Sequence, residues 1–115
     1  MLNAKLLGMF TLSHKVAAYI PATIDVNTEI DNTKYVDRMA EIMSETFGGA
    51  TSTPANGYWK SDDFGLVKEK TTIVFAFADD LDKLDPVVEY LMTLKKELNQ
   101  ECMALELDGK MYFLK

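Results

Sequence analysis

An α+β fold, with two helices on one face of an antiparallel sheet, is predicted by three observations. Two stretches of the 115-residue chain carry apolar residues at helical spacing. Around them lie segments of high β propensity bounded by turn residues. Near the end, Asp108-Gly109 between two apolar runs is a strong signal for a two-residue hairpin.

The first strand is predicted over 14–20, where Val16, Ala18 and Ile20 alternate with Ala17 and Tyr19. Pro21 ends it, because proline has no N–H to give to a ladder. A polar connection over 22–30 leads to Asp31-Asn32, both good helix-capping types. From there Tyr35, Val36, Met39, Ile42, Met43 and Phe47 fall on one helical face, and Gly48-Gly49 supplies a residue free to take the left-handed cap. The stretch 50–63 is rich in Gly, Pro, Asn and Ser and reads as a loop leading into an irregular second strand around 57–61. After a turn at Asp62-Asp63-Phe64-Gly65, a third strand spans 66–78, centred on Thr71-Thr72-Ile73-Val74-Phe75-Ala76-Phe77. Asp85-Pro86 reads as a cap followed by proline at the first helical position. Val87, Leu91, Leu94 and Leu98 then make a stripe that carries the second helix to about residue 99. Short strands over 102–107 and 110–114 follow. The order β-α-β-β-α-β-β is the split βαβ, or ferredoxin-like, arrangement with one added C-terminal hairpin strand.

Length and composition fit a single domain over 1–115, with residues 1–12 either frayed or adding a strand segment. At 48% hydrophobic and 26% charged, the chain can build a core without disulfides or metals, and its composition is not that of a collagen-like or wholly disordered protein. Twelve Lys+Arg against eighteen Asp+Glu leave a net charge of −6, and Arg38 is the sole arginine. Such a chain repels polyanions, so neither nucleic acid nor an anionic membrane is an expected partner; its charge is compatible with a basic protein surface. One cysteine, Cys102, excludes an intrachain disulfide and suits a reducing, cytoplasmic setting. The first ten residues have a single basic residue, Lys5, and no clear cleavage site follows, so they read as a mature terminus.

The central strands are apolar on both sides. Ile73, Phe75 and Phe77 alternate with Val74, Ala76 and Ala78, which are apolar as well. A sheet covered on one face should alternate apolar with polar. The helix-free face is therefore expected to meet a second copy, with Ala17, Tyr19, Val74 and Ala76 at that interface, unless the N-terminal segment or the final hairpin folds back over it.

Phe47-Gly48-Gly49-Ala50-Thr51, Gly57-Tyr58-Trp59, Gly65-Leu66-Val67-Lys68-Glu69 and Leu98-Asn99-Gln100-Glu101 follow one another in this order. In that succession the chain resembles a family of small bacterial proteins grouped as a domain of unknown function. The resemblance spans about residues 15–107. It implies a ferredoxin-like fold and transfers no activity and no catalytic residue.

Several constellations invite chemistry. Trp59, Glu69, Gln100 and Glu101 form the best candidate pocket, because a carboxylate beside an indole in a partly dry site can act as acid or base. The bland alternative is that Glu69 and Gln100 hold backbone in the segment 48–57. Asp79, Asp80, Asp82 and Asp85 lack the glycine and glutamate of a calcium loop. No second Cys or His accompanies Cys102 and His14 to complete a zinc site, so no metal or cofactor is expected, and a Cys–His nucleophile pair would need those two adjacent. Phe75 and Phe77 lack the basic opening of an RNA-binding platform. Asp37, Glu41 and Glu45 recur every four residues as an acidic helical face.

The leading expectation is thus a non-enzymatic interaction domain that self-associates as a dimer. One alternative is an acidic inhibitor or nucleic-acid mimic directed at a basic protein. The other is a small-molecule binder or enzyme with its pocket near Trp59, Glu69 and Gln100.

Overall fold

The computed structural model describes residues 3–25 and 27–115. After a short 3-10 turn at Ala4–Leu6, the elements are β1 (His14–Pro21), β2 (Thr23–Ile24), β3 (Thr28–Glu29), α1 (Thr33–Phe47), β4 (Thr51–Ser61), β5 (Gly65–Ala78), α2 (Asp85–Glu97), β6 (Met103–Leu107) and β7 (Lys110–Leu114). The main sheet runs β4-β5-β1-β6-β7 with every neighbouring pair antiparallel, while β2 and β3 pair in a separate ribbon. Two helices packed on this sheet give the predicted α+β, ferredoxin-like arrangement with one added strand.

Strand β1 sits at the centre, and its register decides which side chains meet the helices. Ala18 lies opposite Val74 on one side and Leu105 on the other, and Val16 lies opposite Ala76 and Leu107. Because side chains alternate along a strand and match across a ladder, these residues share one face. They pack into a single core with Val36, Met39, Ile42 and Met43 of α1 and with Val87, Leu91 and Leu94 of α2. Val74 and Ala76 therefore belong to the helix side, which corrects their expected place on the helix-free face. Ala17 and Tyr19 do face away from the helices, and their neighbours there are Ile73, Phe75 and Phe77.

The helix ends differ from the sequence reading in detail. Asn32 precedes α1, but its side chain donates to the carbonyl of Ile20 at 3.0 Å and leaves the capping role to Asp31, which accepts from the Thr33 N–H at 2.9 Å. Gly48, at φ 99°, ends α1 as expected. Leu84 rather than Asp85 caps α2, so Asp85 and Pro86 both lie in its first turn.

The larger correction is β4. Residues 51–56 are not a loop: β4 pairs with β5 over eleven positions, from Thr51 opposite Phe75 to Ser61 opposite Gly65. Pro54 is tolerated because β4 is an edge strand, where one row of backbone groups needs no partner strand. The resulting hairpin projects beyond the helices and stretches the molecule to 53 × 30 × 23 Å. Its surface of 7748 Å² accordingly exceeds the value of about 6,300 Å² expected for this mass.

Residues 9–13 join no strand, and Phe10 is 82% exposed. Strands β6 and β7 extend the sheet sideways and do not fold over it. Among the described residues, neither segment covers the helix-free face.

Leu91 is fully buried between α2 and the sheet, whereas Leu66, on the projecting hairpin, is 71% exposed. Leu91→Ala is expected to cost about 2–5 kcal/mol in urea unfolding, and Leu66→Ala within about 0.5 kcal/mol. Equal costs would contradict this placement of the core.

Candidate functional site

The helix-free face is where the sheet presents chemistry. Along β4 the positions facing this side include Ala55, Gly57 and Trp59, and along β5 they include Val67, Glu69 and Thr71. Gly57 lies opposite Glu69, and Trp59 lies opposite Val67. Trp59 and Glu69 are therefore diagonal neighbours across the ladder, within reach of long side chains. The missing side chain at Gly57 leaves a hollow beside the indole. The corner between α2 and β6 brings Gln100 and Cys102 to its far wall, and β1 and β7 supply Tyr19 and Phe113.

The result is an open concavity of about 430 Å³. This size lies within the range of small-molecule sites, about 300–1,000 Å³. Trp59, Glu69 and Gln100 converge here from separate elements, as the sequence suggested. Glu101 does not join them: it is exposed and lies outside the lining. The carboxamide of Gln100 donates to backbone carbonyls, as in the bland alternative, but they belong to Thr23 and Leu98 and not to the segment 48–57. No hydrogen bond engages the Glu69 carboxylate among the described residues.

Sequence reasoning missed Tyr19, Tyr58, Phe113 and Met111 as lining residues. Tyr19 was visible as an unusual aromatic in a central strand, but β7 gave no sign of which side its rings face. Partial burial, then the nearby Glu106 carboxylate, holds the Tyr19 phenol above its usual range, and its hydroxyl makes a long contact of 3.5 Å with Glu106. The Tyr19 hydroxyl thus stays protonated, a donor on a face otherwise supplied with carboxylate acceptors.

The remaining candidates separate. His14 and Cys102 lie at opposite ends of β1, so they form no nucleophile pair. His14 pairs instead with Asp108, Nδ1 to Oδ2 at 2.7 Å, and Asp108 also accepts from the Lys15 N–H at 2.7 Å, tying the β6–β7 turn to the start of β1. Among the described residues no cluster of three metal-ligating side chains occurs. Asp80 caps the turn before α2 by accepting from the Asp82 N–H. Asp37, Glu41 and Glu45 are exposed on α1, remote from the concavity, and Glu41 is paired with Arg38. A larger hollow of about 650 Å³ lies near Phe10, Phe47 and Phe77, but Asp79 and Thr51 are its main polar side chains. Convergent polar groups and rings favour the smaller site. No described helix is long and apolar enough to cross a membrane.

No family model matches the chain, and no curated protein matches it. Among solved structures, the chain is similar in fold to a phage SAM lyase in complex with S-methyl-5'-thioadenosine, at a TM-score of 0.65 and 16% identity, over 93% of this chain and 95% of that one. It is similar also to a phage SAM lyase in the apo state, at a TM-score of 0.61 and 15% identity, over 93% and 94% of the two chains. These neighbours, both enzymes by name, overturn the expectation of a non-enzymatic interaction domain.

The bond to His14, followed by that to the Lys15 N–H, holds the Asp108 carboxyl below its usual value. A carboxylate depressed in the folded state stabilises that state above its unfolded pKa, and the contribution is lost as pH falls through the folded value. In thermal melts between about pH 6 and about pH 2, the gap in Tm between wild type and Asp108→Asn is expected to narrow on acidification. A constant or widening gap would contradict the clamp.

Proposed function

We propose that this chain is a small-molecule enzyme whose ligand is an adenosine bearing sulfur at its 5' position, as thioether or sulfonium, and that it acts as a SAM lyase at the concavity on the helix-free face. The observation that carries this reading is the shared architecture, over nearly the whole of both chains, with a SAM lyase that holds S-methyl-5'-thioadenosine. The concavity supports it chemically. Rings from Tyr19, Trp59 and Phe113 offer stacking surface for a purine. The ring faces and the Glu69 carboxylate suit a sulfonium cation. As the sulfonium C–S bond breaks, the bonding pair stays on sulfur and the substrate's own carboxylate forms a C–O bond to the departing carbon, closing a lactone with no added reactant. The cation is discharged, and the thioether product loses its attraction to Glu69.

Gly57 gives a direct test. A Cβ at this position would meet only the Glu69 carbonyl oxygen, at 3.8 Å, so the backbone accepts a Cβ, which the strand alternation directs into the hollow. S-methyl-5'-thioadenosine is expected to raise the Tm of the wild type saturably, and S-adenosylmethionine to yield S-methyl-5'-thioadenosine by chromatography. Gly57→Leu should keep the far-UV spectrum and lose both effects. Absence of both effects in the wild type, or their survival in folded Gly57→Leu, would overturn the proposal.

A further inference from the structure

The orientation of Gln100 is dictated by its neighbours. Its Nε2 donates to the Thr23 carbonyl and to the Leu98 carbonyl, each at 3.1 Å. Backbone carbonyls only accept, so the carboxamide cannot turn over without losing both bonds and setting oxygen against oxygen. Its Oε1 has no hydrogen-bond partner among the described residues. Gln100 thereby brings to the wall of the concavity a fixed, neutral acceptor.

The device that fixes it is the β2–β3 ribbon. Two-residue strands cannot hold themselves in place. This ribbon is fastened to the end of α2 by the Asp25 N–H on the Leu98 carbonyl at 3.0 Å and by the Asn99 side-chain amide on the Asp25 carboxylate at 2.8 Å. Asp25 and Asn99 both take left-handed backbone conformations, at φ 54° and 48°, to meet there. Thr23, whose carbonyl orients Gln100, is the buried polar residue of the described core, at 6% exposure.

We propose that Gln100 sets base specificity: its Oε1 accepts from the exocyclic amine of a 6-aminopurine, and its locked orientation rejects a 6-oxopurine, whose oxygen would face it. This rests on the reading of the site as one for a thioadenosine. The amino group of a methionine moiety is the other N–H donor that such a ligand can carry. It is charged, however, and is better matched by the Glu69 carboxylate than by a neutral amide.

Isothermal titration of the full chain with S-methyl-5'-thioadenosine and with its 6-oxo counterpart, S-methyl-5'-thioinosine, tests this, since neither ligand contains the amino acid. Wild type is expected to favour the amine by about ten-fold or more. Gln100→Met, similar in length but without polar atoms, should bring the two within about two-fold by weakening the amine. Should that variant fail to fold, N6,N6-dimethylation of the amine must cost wild-type affinity to a similar degree as the 6-oxo change. Equal binding of the two nucleosides by wild type, undiminished binding of the dimethyl compound, or a preference that survives in folded Gln100→Met overturns the inference alone. Failure of wild type to bind either nucleoside overturns the thioadenosine reading, and the inference with it.

Discussion

A pair of helices can dry only one side of a five-stranded sheet, and this constraint organises the molecule. The helix side collects Val16, Ala18, Ile20, Val74, Ala76, Met103 and Leu105 into one core with α1 and α2. On the other side the central strands are also apolar, but no described element of the chain lies across them. Ala17 is fully buried there because its taller neighbours crowd around it, while Phe77 remains 47% exposed. An uncovered apolar surface of this kind is characteristic of a binding face. Where β4 and β5 outrun the helices, the missing side chain at Gly57 turns that surface into a hollow.

Most elements were legible from residue pattern, for physical reasons that also explain the exceptions. Helix α1 declares itself through its apolar spacing and the left-handed glycine that ends it. Strand β4 does not, since Thr51-Ser52-Thr53-Pro54-Ala55-Asn56-Gly57 carries the low β propensity of a loop. Its strand character comes from a partner, eleven ladder positions on β5, and pairing of that kind is a tertiary fact. The β2–β3 ribbon is invisible for a similar reason, because two-residue strands have no period to read. Val74 and Ala76 were placed on the wrong face because β5 is apolar at every position through its centre. Only the register, with Ala18 against Val74, decides the parity.

The site was legible to a similar extent. Trp59, Glu69 and Gln100 stood out by chemical type, and the fold brings them to one hollow. Glu101 follows Gln100 in sequence but is directed elsewhere, as adjacent residues entering a strand usually are. Phe113 and Met111 could not be assigned without knowing that β7 extends the sheet on the far side of β6. The expected role suffered most. Apolar character on both sides of a strand is equally the mark of a surface for another protein and of a floor for a flat, mostly apolar ligand, and the residue pattern alone does not distinguish them. The proposed function takes the second.

The central claim is that the helix-free face, beside Trp59, is where ligand sits. Backbone amide chemical shifts recorded by NMR during titration with S-methyl-5'-thioadenosine test it most directly. The account predicts saturable shifts at Tyr19, Gly57, Glu69, Gln100 and Ala104, with the exposed positions of α1 unmoved. Shifts confined to the hollow around Gly48, Thr51 and Phe77, or to the helices, would contradict it.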